Sequence, residues 1–338
     1  MAKENKLTWR ISLVVILFLI HPTIINAANY ITVATIGNRP PVMDKSEGYS
    51  AMVERVIEFW QNELKQVLSD NPDLIVLPEA CDRPGGLSAK EQFEYFEARE
   101  KKVWNFFASV AKKNQCYLVF GTKWQEKNGT WRNSNILLNR QGNVTGIYNK
   151  NFPTIGEINS GIVPGTEAPV FKCDFGTIAC AICYDLNFTE LCDKYASQKP
   201  DILVFSSMYH GGLMQNYWAY QCRSFFIAAT GFRVIPSEIR NPLGEIIASN
   251  TNYFDFVVAK INLDQKMVHL DNNWGKLKKL KEKYGNKVII TDPGKLGSVL
   301  ITSEHENISA KEMVEEFDME LLDDYFERSR QYRLSNMK

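Results

Sequence analysis

The chain has 338 residues, 45% of them hydrophobic, enough for one large domain or two ordinary ones. Its 39 basic side chains match its 39 acidic ones. That balance gives no whole-chain argument for nucleic acid or an anionic membrane as partner.

Lys3, Lys6 and Arg10 precede an apolar run over residues 11 to 20, and the small residues Ala27 and Ala28 follow. This order predicts a signal peptide over residues 1–27, cleaved after Ala27. The run is about half a membrane span, so no stable span is expected after processing. The protein is therefore expected to be secreted or periplasmic. The mature chain is expected to divide into a main domain over 28–264 and a C-terminal extension over 265–338.

Residues 30 to 36, YITVATI, predict the first strand. A helix is expected from Ala51 to Leu68, with Met52, Val53, Val56, Ile57, Trp60, Leu64, Val67 and Leu68 on one stripe. LIVLPEA, residues 74 to 80, is an apolar strand stopping at Pro78-Glu79. One helix is expected over residues 91 to 112, then a strand at 116 to 122. SNILLNRQGNVTGIYNK predicts a hairpin turning at Gln141-Gly142-Asn143 and ending near Lys150. Residues 151 to 169 read as irregular. PVFKCDFGTIACAIC predicts a second hairpin, ending at Cys183. Then come a helix at 189 to 196, a buried strand at 201 to 207, a helix at 216 to 229 and the strand FRVIPS. A turn at Pro242 to Gly244 precedes a last core strand, FDFVVAKINL. Alternation of this kind argues for α/β layers. Residues 274 to 287 carry lysines interrupted by Leu277, Leu280 and Tyr284, an amphipathic helix with a solvated face. A final helix is expected to show Met313, Val314, Phe317, Leu321, Leu322, Tyr325 and Phe326 on one face, which must pack on this chain or on a second copy.

Glu79, Lys150 and Cys183 each end a strand, where α/β proteins build sites. Singly, each has an ordinary explanation: a turn cap, a solvent lysine, a core cysteine. Together they make a hydrolytic set. A thiol is the nucleophile, and at neutral pH it needs a base, here Glu79. Lys150 supplies positive charge for an oxyanion. Cys180 and Cys183 have metal-like spacing, but no second pair or nearby histidine completes a site, so no metal is expected. No phosphate-binding or dinucleotide fingerprint is present, and no cofactor is expected. There are seven cysteines; with Cys183 set aside, six remain that either pair or stay reduced.

The wording of these segments is similar to the nitrilase superfamily, the carbon–nitrogen hydrolases, over roughly residues 31 to 263. The resemblance rests on LIVLPEA around Glu79, GIYNKNFPTIGE around Lys150 and CAICYDLNFTE around Cys183, with VPGTE, PDILVFSS, Trp218, Arg223 and NPLGEII in support. It implies an α-β-β-α sandwich of two mixed sheets with helices outside, and a homo-oligomer, commonly a homodimer. It implies a Glu79–Lys150–Cys183 triad, with Glu157 as a second glutamate orienting Lys150 or substrate. Tyr184, Tyr209 and His210 become substrate-contact candidates. The expected substrate is a small amide, carbamoyl compound or nitrile. The rivals are an acyltransferase using the same thioester and a catalytically dead binding protein. Two departures stand out: Asn187 replaces a usual arginine, and Ser224-Phe225-Phe226 after Arg223 lacks a usual glutamate. Asn187 also begins one of four Asn-x-Ser/Thr triplets, with Asn128, Asn143 and Asn307. A glycan there would crowd the nucleophile. Either Asn187 is buried or the chain, as in a bacterial exported protein, never meets the glycosylation machinery.

Overall fold

The computed structural model describes residues 28–337. The expected signal peptide, residues 1–27, lies outside the described residues. Strand β1 (Tyr30–Ile36) leads into helix α1 (Gly48–Leu68), then β2 (Leu74–Val76), α2 (Ala89–Arg99), α3 (Lys102–Asn114), β3 (Tyr117–Gln125), β4 (Trp131–Leu138) and β5 (Val144–Asn149). A short helix, α4 (Ile155–Asn159), precedes β6 (Val170–Lys172) and β7 (Thr177–Ile182). Next come α5 (Thr189–Gln198), β8 (Ile202–Ser207), α6 (Leu213–Cys222), β9 (Phe225–Thr230), β10 (Glu238–Arg240), β11 (Ile246–Ser249) and β12 (Phe256–Asn262). The C-terminal part holds β13 (Gln265–His269), α7 (Trp274–Tyr284), β14 (Val288–Thr291), β15 (Ser298–Ser303), α8 (Ala310–Glu316) and α9 (Leu322–Ser335).

Two six-stranded mixed sheets result, ordered β12-β1-β2-β3-β4-β5 and β11-β10-β9-β8-β7-β6. Alternate side chains decide which layer each strand face meets. In the first sheet Ala34, Ile36, Ile75, Leu118 and Phe120 point outward and pack with Val53, Val56, Trp60 and Phe107 of α1 and α3. Their neighbours Val33, Leu74, Val76 and Val119 point inward and join the core with the second sheet and with α5 and α6. This is the α-β-β-α sandwich. Two buried hydroxyls clip the sheets: Thr35 Oγ1 donates to the Ala228 carbonyl at 2.9 Å and Ser206 Oγ to the Leu77 carbonyl at 2.8 Å.

The expected helix over 91 to 112 is two helices. Ser88 and Glu91 form a capping box that starts α2, and Glu100, at φ 50°, ends it. The expected helix over 216 to 229 is also wrong in its second half. Arg223 takes a left-handed conformation, φ 58°, and stops α6; FFIAAT then becomes β9, buried throughout. FRVIPS is loop, not strand. The irregular segment carries α4. The C-terminal stripe is split between α8 and α9, with Asp318 at φ 46° between them. It packs on this chain, against a three-stranded sheet β13-β15-β14 that the sequence reading did not anticipate. Met313, Val314, Val268, Leu280, Val299 and Ile301 form that small core.

Met313 is fully buried there. Met313→Ala is expected to cost about 2–5 kcal/mol, read as a lowered urea midpoint for the C-terminal layer; an unchanged midpoint would mean this layer is not cooperatively packed.

Candidate active site

Three strand ends meet at one edge of the sandwich. Glu79 lies just past β2 and Lys150 just past β5, both in the first sheet. Cys183 follows β7 in the second and opens a short 3-10 turn, Cys183–Asn187. Cys183 sits at φ 47°, a left-handed conformation that an L-residue adopts only under constraint.

The constraint is Asp185, which is buried. Its carboxylate accepts from the Ile182 N–H at 2.9 Å, the Phe152 N–H at 2.7 Å and the Tyr148 hydroxyl at 2.7 Å. The first bond closes the turn on itself; the others tie it to the end of β5. Trp218 Nε1 holds the far side of the turn through the Leu186 carbonyl at 3.1 Å. Burial raises the Asp185 carboxyl to about 6, against these donors.

Lys150 is 1% exposed and Glu79 6% exposed, so neither charge is solvated. Lys150 Nζ donates to Glu79 Oε1 and to Glu157 Oε2, each at 2.8 Å. Asn133 Nδ2, on β4, donates to Glu79 Oε1 at 2.7 Å and to Glu157 Oε1 at 2.6 Å. Glu157 is placed by its own helix: with Thr154 it forms the capping box of α4. Burial works against the charge on both partners. Even so, the two carboxylates lift Lys150 above its usual range, and Lys150 with the Thr154 N–H brings Glu157 down to about 2.

A cavity of about 220 Å³ is lined by Glu79, Ala80, Arg83, Lys123, Lys150, Thr154, Glu157, Cys183 and Met208. Burial, then the Glu79 charge, pushes the Cys183 thiol up to about 12, against the pull of Lys150 and the Met208 N–H. At neutral pH the sulfur therefore carries its proton beside a buried carboxylate and a buried ammonium.

A match to the family model for carbon–nitrogen hydrolases covers residues 32–266. The chain belongs to the carbon–nitrogen hydrolase family. The human protein named Omega-amidase NIT2 is 22% identical over 231 residues, 65% of this chain and 83% of that protein. The Drosophila melanogaster nitrilase and fragile histidine triad fusion protein NitFhit is 24% identical over 213 residues, 60% of this chain and 44% of its own length. Among solved structures, Saccharomyces cerevisiae Nit3, a member of branch 10 of the nitrilase superfamily, superposes with a TM-score of 0.59 at 17% identity. It covers 79% of this chain and 97% of its own. An amidase from Nesterenkonia sp. gives 0.57 at 15% identity, covering 76% and 98%. Both carry the nitrilase fold described above.

The sequence-derived residues fall into two groups. Glu79, Lys150, Glu157 and Cys183 share the cavity. Tyr184, Tyr209 and His210 do not line it. Tyr184 is exposed, with its ring against Phe188. The Tyr209 hydroxyl accepts from Asn187 Nδ2 at 3.1 Å. His210 Nδ1 accepts from the Gly212 N–H, so its Nε2–H faces Glu238 Oε2 at 3.1 Å. Asn187 itself is exposed, so burial is not what would keep a glycan from it. All seven cysteines are free, and the Cys192 and Cys222 sulfurs lie 3.9 Å apart. Sequence reasoning missed Asn133, Arg83, Lys123 and the role of Asp185. The one available signal was Cys-Tyr-Asp itself, an acid two residues past the thiol.

Gly121 on β3 backs the Glu79 turn. A Cβ there would lie 2.5 Å from Glu79 Cα and 2.6 Å from the Pro78 carbonyl oxygen, both backbone atoms. Gly121→Ala is expected to lower stability by about 1–3 kcal/mol and to displace Glu79; the urea midpoint and a structure of the variant check this. A raised thiol also fixes a reactivity profile. Iodoacetamide labelling of Cys183 in the resting protein, followed by mass spectrometry, should keep rising above pH 9; a plateau below pH 8 would mean a preformed thiolate.

Proposed function

We propose that this carbon–nitrogen hydrolase cleaves small amides through a thioester on Cys183, with Glu79 as the base and acid and Lys150 as the oxyanion partner. The observation carrying this reading is one cavity lined by the Cys183 thiol, the Glu79 carboxylate and a Lys150 ammonium held by two carboxylates. The relatives named as amidases favour an amide over a nitrile.

The sulfur attacks the carbonyl carbon as its proton passes to Glu79, so the thiol is activated only in the step that uses it. The C–O π pair moves to oxygen, where Lys150 and a backbone N–H hold the negative charge. On collapse the C–N bond breaks, Glu79 returns the proton to the nitrogen, and amine or ammonia leaves. Water then adds to the thioester as Glu79 takes its proton, and the C–S bond breaks as Glu79 passes that proton to sulfur, giving the acid and the free thiol. Glu157 and Asn133 position Lys150 and Glu79 and touch no reacting atom.

The charged residues, apolar run and small residues at the N-terminus favour an exported protein, with residues 265–338 as an appended layer on the hydrolase domain. Exposed Leu213 and Tyr217 on α6 favour self-association.

Cys183→Ala is expected to reduce ammonia release from a small amide by roughly a thousandfold or more. Glu79→Gln should do the same while leaving the fold intact. The enzyme assay and intact-mass detection of a Cys183 acyl adduct are the measurements. Ammonia release surviving in Cys183→Ala would remove the thioester from the mechanism.

A further inference from the structure

Two cysteines that amide cleavage does not use face each other. Cys192 lies in α5 and Cys222 is the last residue of α6. Both are buried, and their sulfurs are 3.9 Å apart. The Cys222 thiol also donates to the Cys192 carbonyl at 3.7 Å, so it is turned onto the α5 backbone. A buried cysteine ordinarily acts as a small apolar filler. Here each thiol packs against the other. A disulfide needs the sulfurs about 2 Å closer, a shift of the size that rotating the two side chains supplies.

The two helices also hold the turn that carries the nucleophile. Tyr195 of α5 donates its hydroxyl to the Cys180 carbonyl at 2.8 Å, and Trp218 of α6 donates to the Leu186 carbonyl at 3.1 Å. One bond lands before Cys183 and the other after it. The C-terminal layer is anchored on the same helices. Lys199, just past α5, and Arg223, just past α6, both pair with Asp323 of α9, at 2.8 and 3.0 Å. A covalent tie between α5 and α6 therefore fixes the spacing on which the Cys183 turn and the C-terminal layer both depend.

We infer that Cys192 and Cys222 are a disulfide site, closed while the chain folds by a small disulfide oxidant of the glutathione kind. The export reading above supplies a compartment where such an oxidant persists. One protein thiolate attacks the oxidant's S–S bond, forms a mixed disulfide and releases one oxidant thiol. The other protein thiolate attacks the protein sulfur of that mixed disulfide and releases the second. The two cysteines lose two protons and two electrons, and the oxidant becomes two thiols. Timing follows from the finished fold. There the hydrogen bond with Cys192, and after it burial, hold the Cys222 thiol well above its usual range. A buried thiol that keeps its proton exchanges slowly, so the bond forms before α5 and α6 close on each other. It spans a separation of 30 residues that contains all of β8, and it removes open conformations from the unfolded chain.

The test refolds the reduced full chain from urea in a mixture of reduced and oxidised glutathione. The oxidant is thereby present whether or not the protein is exported, and failure of this pair is distinguishable from failure of the export reading. The product is opened in denaturant with excess iodoacetamide, digested without reductant and mapped by mass spectrometry. The Cys192 and Cys222 peptides should be joined in most chains, with Cys183 alkylated. Reductant should then lower the urea midpoint of the wild-type chain by about 0.5–1 M and leave that of Cys192→Ala/Cys222→Ala unmoved. If the double variant does not fold, the wild-type peptide map decides alone. Reduced protein given the same mixture after folding should form the bond roughly tenfold more slowly or worse. Both cysteines alkylated in most chains, or either joined to a different cysteine, overturns the site; equally fast closure in the folded protein overturns its timing.

Discussion

An ammonium taken out of water must be matched by opposite charge, and Lys150 is matched twice. Its two partners are Glu79 beyond β2 and Glu157 in α4, and Asn133 on β4 donates to both acids from behind. Removing any one leaves a buried charge or donor unsatisfied, so the cluster holds together or fails as a unit. It carries one positive and two negative charges. Burial, and after it the Glu79 charge, is why the neighbouring thiol keeps its proton until something arrives to take the sulfur's electrons.

The sandwich supplies the second requirement, which is distance control between sheets. Lys150 belongs to one sheet and Cys183 to the other, and side-chain packing alone would leave their separation soft. Asp185 hardens it. One carboxylate binds the end of β7 and the end of β5 together, and the buried hydroxyl of Ser206 ties the second sheet to the backbone two residues before Glu79. The left-handed backbone at Cys183 is held by those bonds.

Much of this was legible in the sequence, for a physical reason. Strands ending in Glu79, Lys150 and Cys183 announce themselves because an apolar run stops abruptly on a polar group. Helix α1 was legible because its stripe repeats at helical spacing; six of its eight residues are buried, and Ile57 and Leu68 lie half-buried at its margin. Failures came where the pattern carries no period. FFIAAT is apolar up to its last residue, Thr230, and nothing in it separates a buried strand from the end of a helix. The breaks at Glu100, Arg223 and Asp318 are left-handed residues without glycine, a conformation that tertiary contacts impose. The three-stranded C-terminal sheet was missed because its strands are short and lie among helices. Arg83 and Lys123 look like any surface cations in the sequence; only the Asp82–Arg99 pair, seventeen residues apart and packed against Thr122, reveals why they face inward.

The edge of the first sheet has a consequence for assembly. β1 pairs with β12 along its whole length, from Tyr30 opposite Asn262 to Ile36 opposite Phe256, and Leu263 donates back to the Asn29 carbonyl. The first strand of the sandwich among the described residues therefore waits for its last before one flank is covered. A ribosome must deliver more than two hundred further residues in between, and closure over so long a span is slow. Until then β1 offers an open hydrogen-bonding edge, so the half-made chain is the form most in need of a chaperone.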